Sequence, residues 1–284
     1  MSEYIISTNY IELKNNNKII VIGQPISNEI KIQNLIFKGK NNILIIDSNA
    51  VFFSTNIVFN GSNSTAFINS TSNNRMNLNL SLYNNSTYYQ GKNNYFNGRF
   101  NCIVSESKNV IIGDNGIFSF NIWVRTSDAH LIYNLEDKKR LNHAKDVILG
   151  SHVWIGQNVT ILKGAFIGSG SVIGLNSVVS KKINSNTLNL GNHIKELKEN
   201  IFWDNTSTHD FLETDIEIYN YYKDNSSEIE YDFSTIPDTT NQWMDLSKKL
   251  SASTSEEKYS ILKQLDILPF TIKKSKKKRR FRFF

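Results

Sequence analysis

The chain has 284 residues, with 32 Lys and Arg, 26 Asp and Glu, and one cysteine, Cys102. That length can bury a full core and fits one large domain with an appendage, and a lone cysteine excludes an internal disulfide framework and fits a reducing compartment. The net charge of +6 is local: eight Lys and Arg fall within residues 273–284, and without them the rest carries −2, which excludes a uniformly basic nucleic-acid binder.

Residues 1–30 carry short β-type runs, Tyr4-Ile5-Ile6 and Lys18 to Ile22, and read as a lead-in or cap. Met1 to Tyr10 has neither a basic n-region nor an apolar h-region, so no secretory signal is expected. No apolar run approaches the ~20 residues of a membrane-crossing helix, and a cytoplasmic location is expected. From about Ile36 a coil-like pattern begins, with Ile46, Phe52 and Val58 stepping by six. The stretch from Gly61 to Asn101 is dense in Asn and Ser and contains Tyr83, Tyr88, Tyr89, Tyr95, Phe96 and Phe100. Asn ladders stack well between parallel strands, so this stretch reads as imperfect coils. Its aromatics read as ladder or core residues, with stacking on a sugar as the alternative.

Between Leu149 and Asn184 the chain repeats every six residues. Leu149, Ile155, Ile161, Ile167, Ile173 and Val179 share one phase, and Gly150, Gly156, Gly168 and Gly174 follow four of them. Two positions before stand Val147, Val153, Val159, Ala165, Ser171 and Ser177; three after come Asn158, Gly164, Gly170 and Asn176. Six is a poor multiple of the helical period but an even number, so it preserves strand parity and sends the aliphatic and the small position into one core. Gly and Asn supply the φ > 0 corners. Three such sides close a triangular coil, and stacked coils form parallel ladders with nearly all edges covered. The predicted fold is all-β, a parallel β-helix.

The same phase runs through Ile112, Phe118 and Val124, and its next step lands on His130. The aliphatic anchor resumes only at Leu149, so Leu131 to Asp146, mostly charged or polar, reads as a projecting loop. A long excursion from a compact repeat is functional or disordered as a rule. After Asn184 the repeat fades, and Asn189 to Phe202 reads as a coil end followed by a short helix with Lys195 and Lys198. From Asp204 to Ile272 there are fourteen carboxylates against five lysines. A helix is expected at about Ser255 to Ile267, where Thr254 can cap with Glu257 and Tyr259, Leu262 and Leu265 form an apolar stripe. The expected organisation is a lead-in at 1–30, the β-helix at 31–200, an acidic, partly helical appendage at 201–272 that caps the end of the stack, and a basic tail at 273–284. With Phe281, Phe283 and Phe284, that tail suits an anionic membrane surface, a fold back on the acidic appendage, or plain solvation.

The order Arg125-Thr126-Ser127-Asp128-Ala129-His130, long loop, then His152-Val153-Trp154-Ile155-Gly156 resembles the hexapeptide-repeat acyltransferases of left-handed β-helix fold, and within them the polysaccharide and capsule O-acetyltransferases. There a Ser/Thr-Asp-x-His segment precedes the loop and Val-Trp-Ile-Gly follows it. The resemblance covers about Ile111 to Trp203. The hexads alone are shared with sugar nucleotidyltransferases and carbonic anhydrases; the His–loop–Trp combination is what carries acyl transfer. The resemblance implies a left-handed coil, a homotrimer and acetyl-CoA bound in the grooves between subunits. It implies His130 as catalytic base and Trp154 beside the thioester, Leu175, Ser180 and Lys181 along the pantetheine and adenosine path, and Lys198 near the 3′-phosphate. Gly191-Asn192-His193 stands where the family has Gly-x-Pro or Asn-Pro at the coil exit, which bears on the placement of Lys195 and Lys198.

The chemistry this implies is general-base catalysis. A neutral imidazole takes the proton of a sugar hydroxyl as its oxygen attacks the thioester carbonyl, and returns it to the leaving thiolate. Asp128 is a candidate to orient His130, with a backbone carbonyl as the alternative. Cys102 reads as a buried thiol. A zinc site would need three histidines converging from neighbouring coils, whereas His143 lies in the loop, His152 at a corner and His130 on a side, so no metal is expected. The expected activity is acetyl-CoA-dependent O-acetylation of a bacterial capsular polysaccharide or its sugar precursor. The alternatives are N-acetylation of an amino sugar on a nucleotide carrier and a non-catalytic glycan-binding β-helix.

Overall fold

The computed structural model describes residues 3–23, 29–72, 75–220, 230–231, 240–265 and 272–273; the basic tail beyond Lys273 lies outside them. The body is a parallel β-helix of about seven coils, walled by sheets of nine, six and seven strands. Successive short strands visit the walls in turn. Val147–Leu149 lies in the nine-stranded wall, Trp154–Ile155 in the six-stranded wall and Thr160–Ile161 in the seven-stranded wall, and Phe166–Ile167 returns to the first.

The hexads fold as strand parity requires. Leu149, Ile155, Ile161, Ile167, Ile173 and Val179 are buried, and so are Val147, Val153, Val159, Ala165, Ser171 and Ser177. Asn158, Gly164, Gly170 and Asn176 make the corners at φ of 57°, 81°, 74° and 55°. The glycines that follow the aliphatics serve close approach: a Cβ on Gly168 would stand 2.4 Å from the backbone nitrogen of Ser185 in the next coil. Residues stacked one coil apart in this region are 18 residues apart in sequence.

Ile112, Phe118 and Val124 keep the expected six-residue step and are buried, but further upstream the repeat is longer, and the step from Ile46 through Phe52 to Val58 fails. Stacked residues lie 22 apart, as in the inward column Leu44, Ala66, Tyr88 and Val110. Ile46 points inward, but Val58 stands between buried Ile57 and Phe59 and faces out. The additional residues per coil sit at corners and are polar. Asn41 Nδ2 donates to Asn63 Oδ1 at 3.0 Å, and the Ser64 and Ser86 amides donate to Asn42 Oδ1 and Ser64 Oγ. Asn41, Asn63, Asn85 and Ser107 repeat the left-handed corner with φ of 55–58°. The Asn- and Ser-rich stretch is therefore coil whose side chains satisfy corner backbone. Tyr88, Phe96 and Phe100 are core, Phe96 stacking on Phe118 at 4.9 Å, while Tyr83 and Tyr95 are exposed.

Antiparallel strands close sheet edges near both ends of the stack. Tyr10–Leu13 pairs with Asn17–Ile22, and Lys195–Lys198 pairs with Leu188–Leu190. The latter replaces the expected short helix: one helical turn must meet its own nucleation cost, whereas an open sheet edge presents unpaired backbone groups ready for a strand.

Beyond the coils lie α1 (Glu213–Ile218), α2 (Thr240–Ser251) and α3 (Ser255–Lys263). α3 is the expected helix, with the Thr254–Glu257 capping box in place; α2 has no counterpart in the sequence reading. The pair does not cap the end of the stack as expected. Trp243, Leu246, Leu250 and Leu262 pack on the outside of the nine-stranded wall, against Ile43, Ile45, Phe67, Tyr89, Ile111 and Ile148. That wall is apolar on both faces, which is why Ile43-Leu44-Ile45-Ile46 and Ala66-Phe67-Ile68 read as unbroken hydrophobic runs. Among the described residues no helix is long and apolar enough to cross a membrane.

Candidate active site

The chain leaves the coil at the corner between the seven- and nine-stranded walls. Thr126, the last buried residue of the side, closes the neck of the loop by accepting from the Lys145 amide at 3.0 Å. Paired residues on either side of the excursion lie 37 apart, against 22 before it and 18 after. The loop is a small hairpin: the Leu141 amide donates to Ile132 O, and Tyr133 bridges Arg140. It is less polar at its surface than its charges suggest, because Leu131, Ile132, Tyr133, Leu135 and Leu141 are all exposed.

His130 stands on the outgoing limb of this loop, exposed, and its imidazole makes no hydrogen bond with any described residue. Its backbone is held. Asn142 is buried, and its Nδ2 donates to His130 O at 2.7 Å and to Asp128 Oδ2 at 2.9 Å, while its Oδ1 accepts from the Ile132 amide at 2.9 Å. Asp128 also pairs with Lys163 from the next coil, and the two hydrogen bonds, Lys163's first, hold its carboxyl below the usual carboxylate range. Arg140 joins the returning limb to Glu106 of the preceding coil at 2.7 Å. Asp128 thus reaches the backbone of His130 through Asn142. Neither Asn142 nor Lys163 was legible in the sequence, because neither falls in a periodic position or a motif.

Trp154 lies elsewhere. It points outward from the six-stranded wall, the residue 43 % exposed, flanked on neighbouring strands by Ile117 and Val172. A strap from the chain after the coils supports it. Trp203 lies 6.0 Å from Trp154 between ring centroids and stacks flat on His152 at 3.9 Å. Trp203 Nε1 donates to His152 O at 3.2 Å, and His152 Nε2 meets Trp203 O at 2.9 Å. Burial holds the His152 imidazole below its ordinary value. His152 is thus a structural fastener at a corner with φ of 53°.

The remaining candidates divide between two sides of the prism. Ser180 and Lys181 are exposed at the same corner as His130 and Lys163, further down the stack. Leu175 is exposed at the corner beside the six-stranded wall, and Lys198 is exposed on that wall's edge strand. A single chain therefore does not bring His130 and Trp154 together: the first lies at the corner opposite the wall that carries the second. Cys102 is buried in the core, which pushes its thiol up. Among the described residues no group of three or more His, Cys, Asp and Glu is arranged to hold a metal ion.

No family model matches the chain. It is 37 % identical over 156 residues to a polysialic acid O-acetyltransferase of Neisseria meningitidis, covering 55 % of this chain and 70 % of that protein. It is 42 % identical over 120 residues to a polysialic acid O-acetyltransferase of Escherichia coli O1:K1, covering 42 % of this chain but only 39 % of that protein's length. Among solved structures, the polySia-specific acetyltransferase NeuO superposes with a TM-score of 0.56 at 33 % identity, over 63 % of this chain and 82 % of that one. The polysialic acid O-acetyltransferase OatWY gives 0.53 at 30 %, over 68 % and 94 %.

Proposed function

From its membership of the hexapeptide-repeat acyltransferases of left-handed β-helix fold, we propose that this enzyme moves an acetyl group from acetyl-CoA to a hydroxyl of a capsular or surface polysaccharide, with His130 as general base. The observation that carries the proposal is the interruption of the coil: an exposed imidazole whose ring bonds to none of the described residues, on a loop whose backbone is fixed at several points. The names of the two curated relatives, which specify polysialic acid, support an acidic polymer as acceptor.

The neutral imidazole of His130 accepts the hydroxyl proton while the sugar oxygen forms its bond to the thioester carbonyl carbon. The carbon–sulfur bond then breaks, and the proton passes to the departing thiolate, leaving an acetyl ester and free thiol. Such a base contributes about 10²–10⁴-fold. A backbone N–H at a coil corner is a suitable donor for the oxyanion.

The division of candidate residues between two sides of the prism supports a site formed between copies of the chain. His130, Ser180 and Lys181 of one protomer would then face Trp154, Leu175 and Lys198 of the next, as in a homotrimer. The five exposed apolar side chains of the loop suit burial against a second protomer. Trp154, with its face to solvent and Trp203 behind it, would offer an apolar surface to the acyl and pantetheine end, and the exposed Lys181 and Lys198 would meet its phosphates.

The test is release of free thiol from acetyl-CoA in the presence of a panel of acidic and neutral capsular polysaccharides. Release that depends on an acidic polymer is expected. Thiol release indifferent to every polysaccharide, or none at all from folded protein, would contradict the proposal.

A further inference from the structure

The structure assigns Asn142 as the positioning residue of His130: one buried amide fixes the limb of the loop on both sides of the base. The inference rests on the proposed role of His130 and goes beyond it, because it says what sets the place of an imidazole that no described side chain holds.

His130 is exposed and its ring has no partner among the described residues, so its position follows from its backbone. Asn142 holds that limb at three alternate residues, two of them through backbone. Its two Nδ2 protons go to the His130 carbonyl and the Asp128 carboxylate, and its Oδ1 takes the Ile132 N–H. An amide is the side chain that can do this, because it presents two donors and an acceptor in one rigid plane. Both donors face oxygens and the acceptor faces an N–H, so the orientation of the amide is determined by its partners. The arrangement is anchored to the coil from two directions. Lys163 of the next coil holds Asp128, and Arg140, whose guanidinium also donates to Asn142 O at 3.2 Å, is paired to Glu106 of the preceding coil. A displacement of about 1 Å in a reacting group can cost on the order of 10²-fold in rate, so fixing a base through its own carbonyl has a large effect without any contact to substrate.

A residue that acts only through His130 has no effect once the imidazole is gone. In the full-length enzyme, Asn142→Ala is expected to lower kcat by about tenfold to a hundredfold with KM for acetyl-CoA unchanged within about twofold. In the His130→Ala background the same change should cost nothing further, giving a coupling in the double-mutant cycle equal to the whole single effect. An Asn142→Ala enzyme of near-normal kcat, or a loss of equal size in both backgrounds, overturns the assignment. If His130→Ala itself turns over normally, the reading of the base fails instead, and the two failures are separate results. Should Asn142→Ala not fold, Asn142→Ser, which keeps a small polar group but cannot supply two donors and an acceptor in one plane, serves in the same cycle with the same outcomes.

Discussion

At the scale of single residues, parity does much of the work. Trp154 is one residue before inward Ile155 and so must face out, and it does. Backed by Trp203, which itself stacks on His152, the outward indole offers a fixed apolar face, and the proposed partner is the thioester end of acetyl-CoA. Trp154→Ala is therefore expected to raise KM for acetyl-CoA several-fold with a smaller change in kcat, as steady-state kinetics with varied acetyl-CoA will show; an unchanged KM would remove Trp154 from the cofactor path. His130 was legible for the opposite reason, an imidazole at a step that elsewhere holds an aliphatic. Asn142 was not, since its decisive partners are a backbone carbonyl and a backbone amide, which leave no trace in side-chain pattern. Trp203 was equally hidden: nothing about a tryptophan 51 positions from His152 announces that the two rings stack.

At the scale of elements, the six-residue step read the later coils correctly and misread the earlier ones. A 22-residue coil has no six-residue phase, and its excess residues are the Asn and Ser that composition alone would assign to loops. The strand Lys195–Lys198 went unrecognised because its sequence, Lys-Glu-Leu-Lys, favours a helix locally while the sheet edge decides the outcome. The docking of α2 and α3 on the nine-stranded wall is not legible in the sequence, because the outer face of that wall cannot be told from its core in strands buried on both sides.

That helical pair carries a lysine in an unusual setting. Lys258 on α3 is fully buried, its Nζ donating to Asn85 O at 2.6 Å, and burial lowers its pKa from 10.5 to about 8. A depressed folded-state pKa means the docked helix binds its proton less well than the unfolded chain. Stability should thus rise as pH passes from about 8 to 10.5, and be lower by a constant amount below about 8. The shift corresponds to roughly 3 kcal/mol. Lys258→Met would relieve it while leaving Asn85 O without its donor, at a cost of about 1–3 kcal/mol. These terms nearly cancel at neutral pH, so the informative quantity is the slope. Thermal melts of Lys258→Met should lose the increment between pH 8 and 10.5 that the unaltered enzyme shows; parallel pH profiles would mean that Lys258 titrates normally in the folded protein.

At the scale of the whole molecule, the coil is a scaffold that carries the candidate residues on opposite sides of a prism, and the proposed chemistry needs both. The regular hexads build walls, and walls of this kind are compatible with several activities. The specific features lie where regularity fails: the 37-residue coil, the pinned loop around His130 and the outward indole of Trp154 soon after the repeat resumes. All three follow from one account, in which the base of one copy and the tryptophan of another meet across a groove.

The most direct test of that account is thiol release from acetyl-CoA with an acidic polysaccharide acceptor, measured for the unaltered enzyme and for His130→Ala of equal thermal stability and assembly state. A loss of at least about two orders of magnitude in rate is expected for the variant. Near-normal turnover in well-folded His130→Ala protein would contradict it.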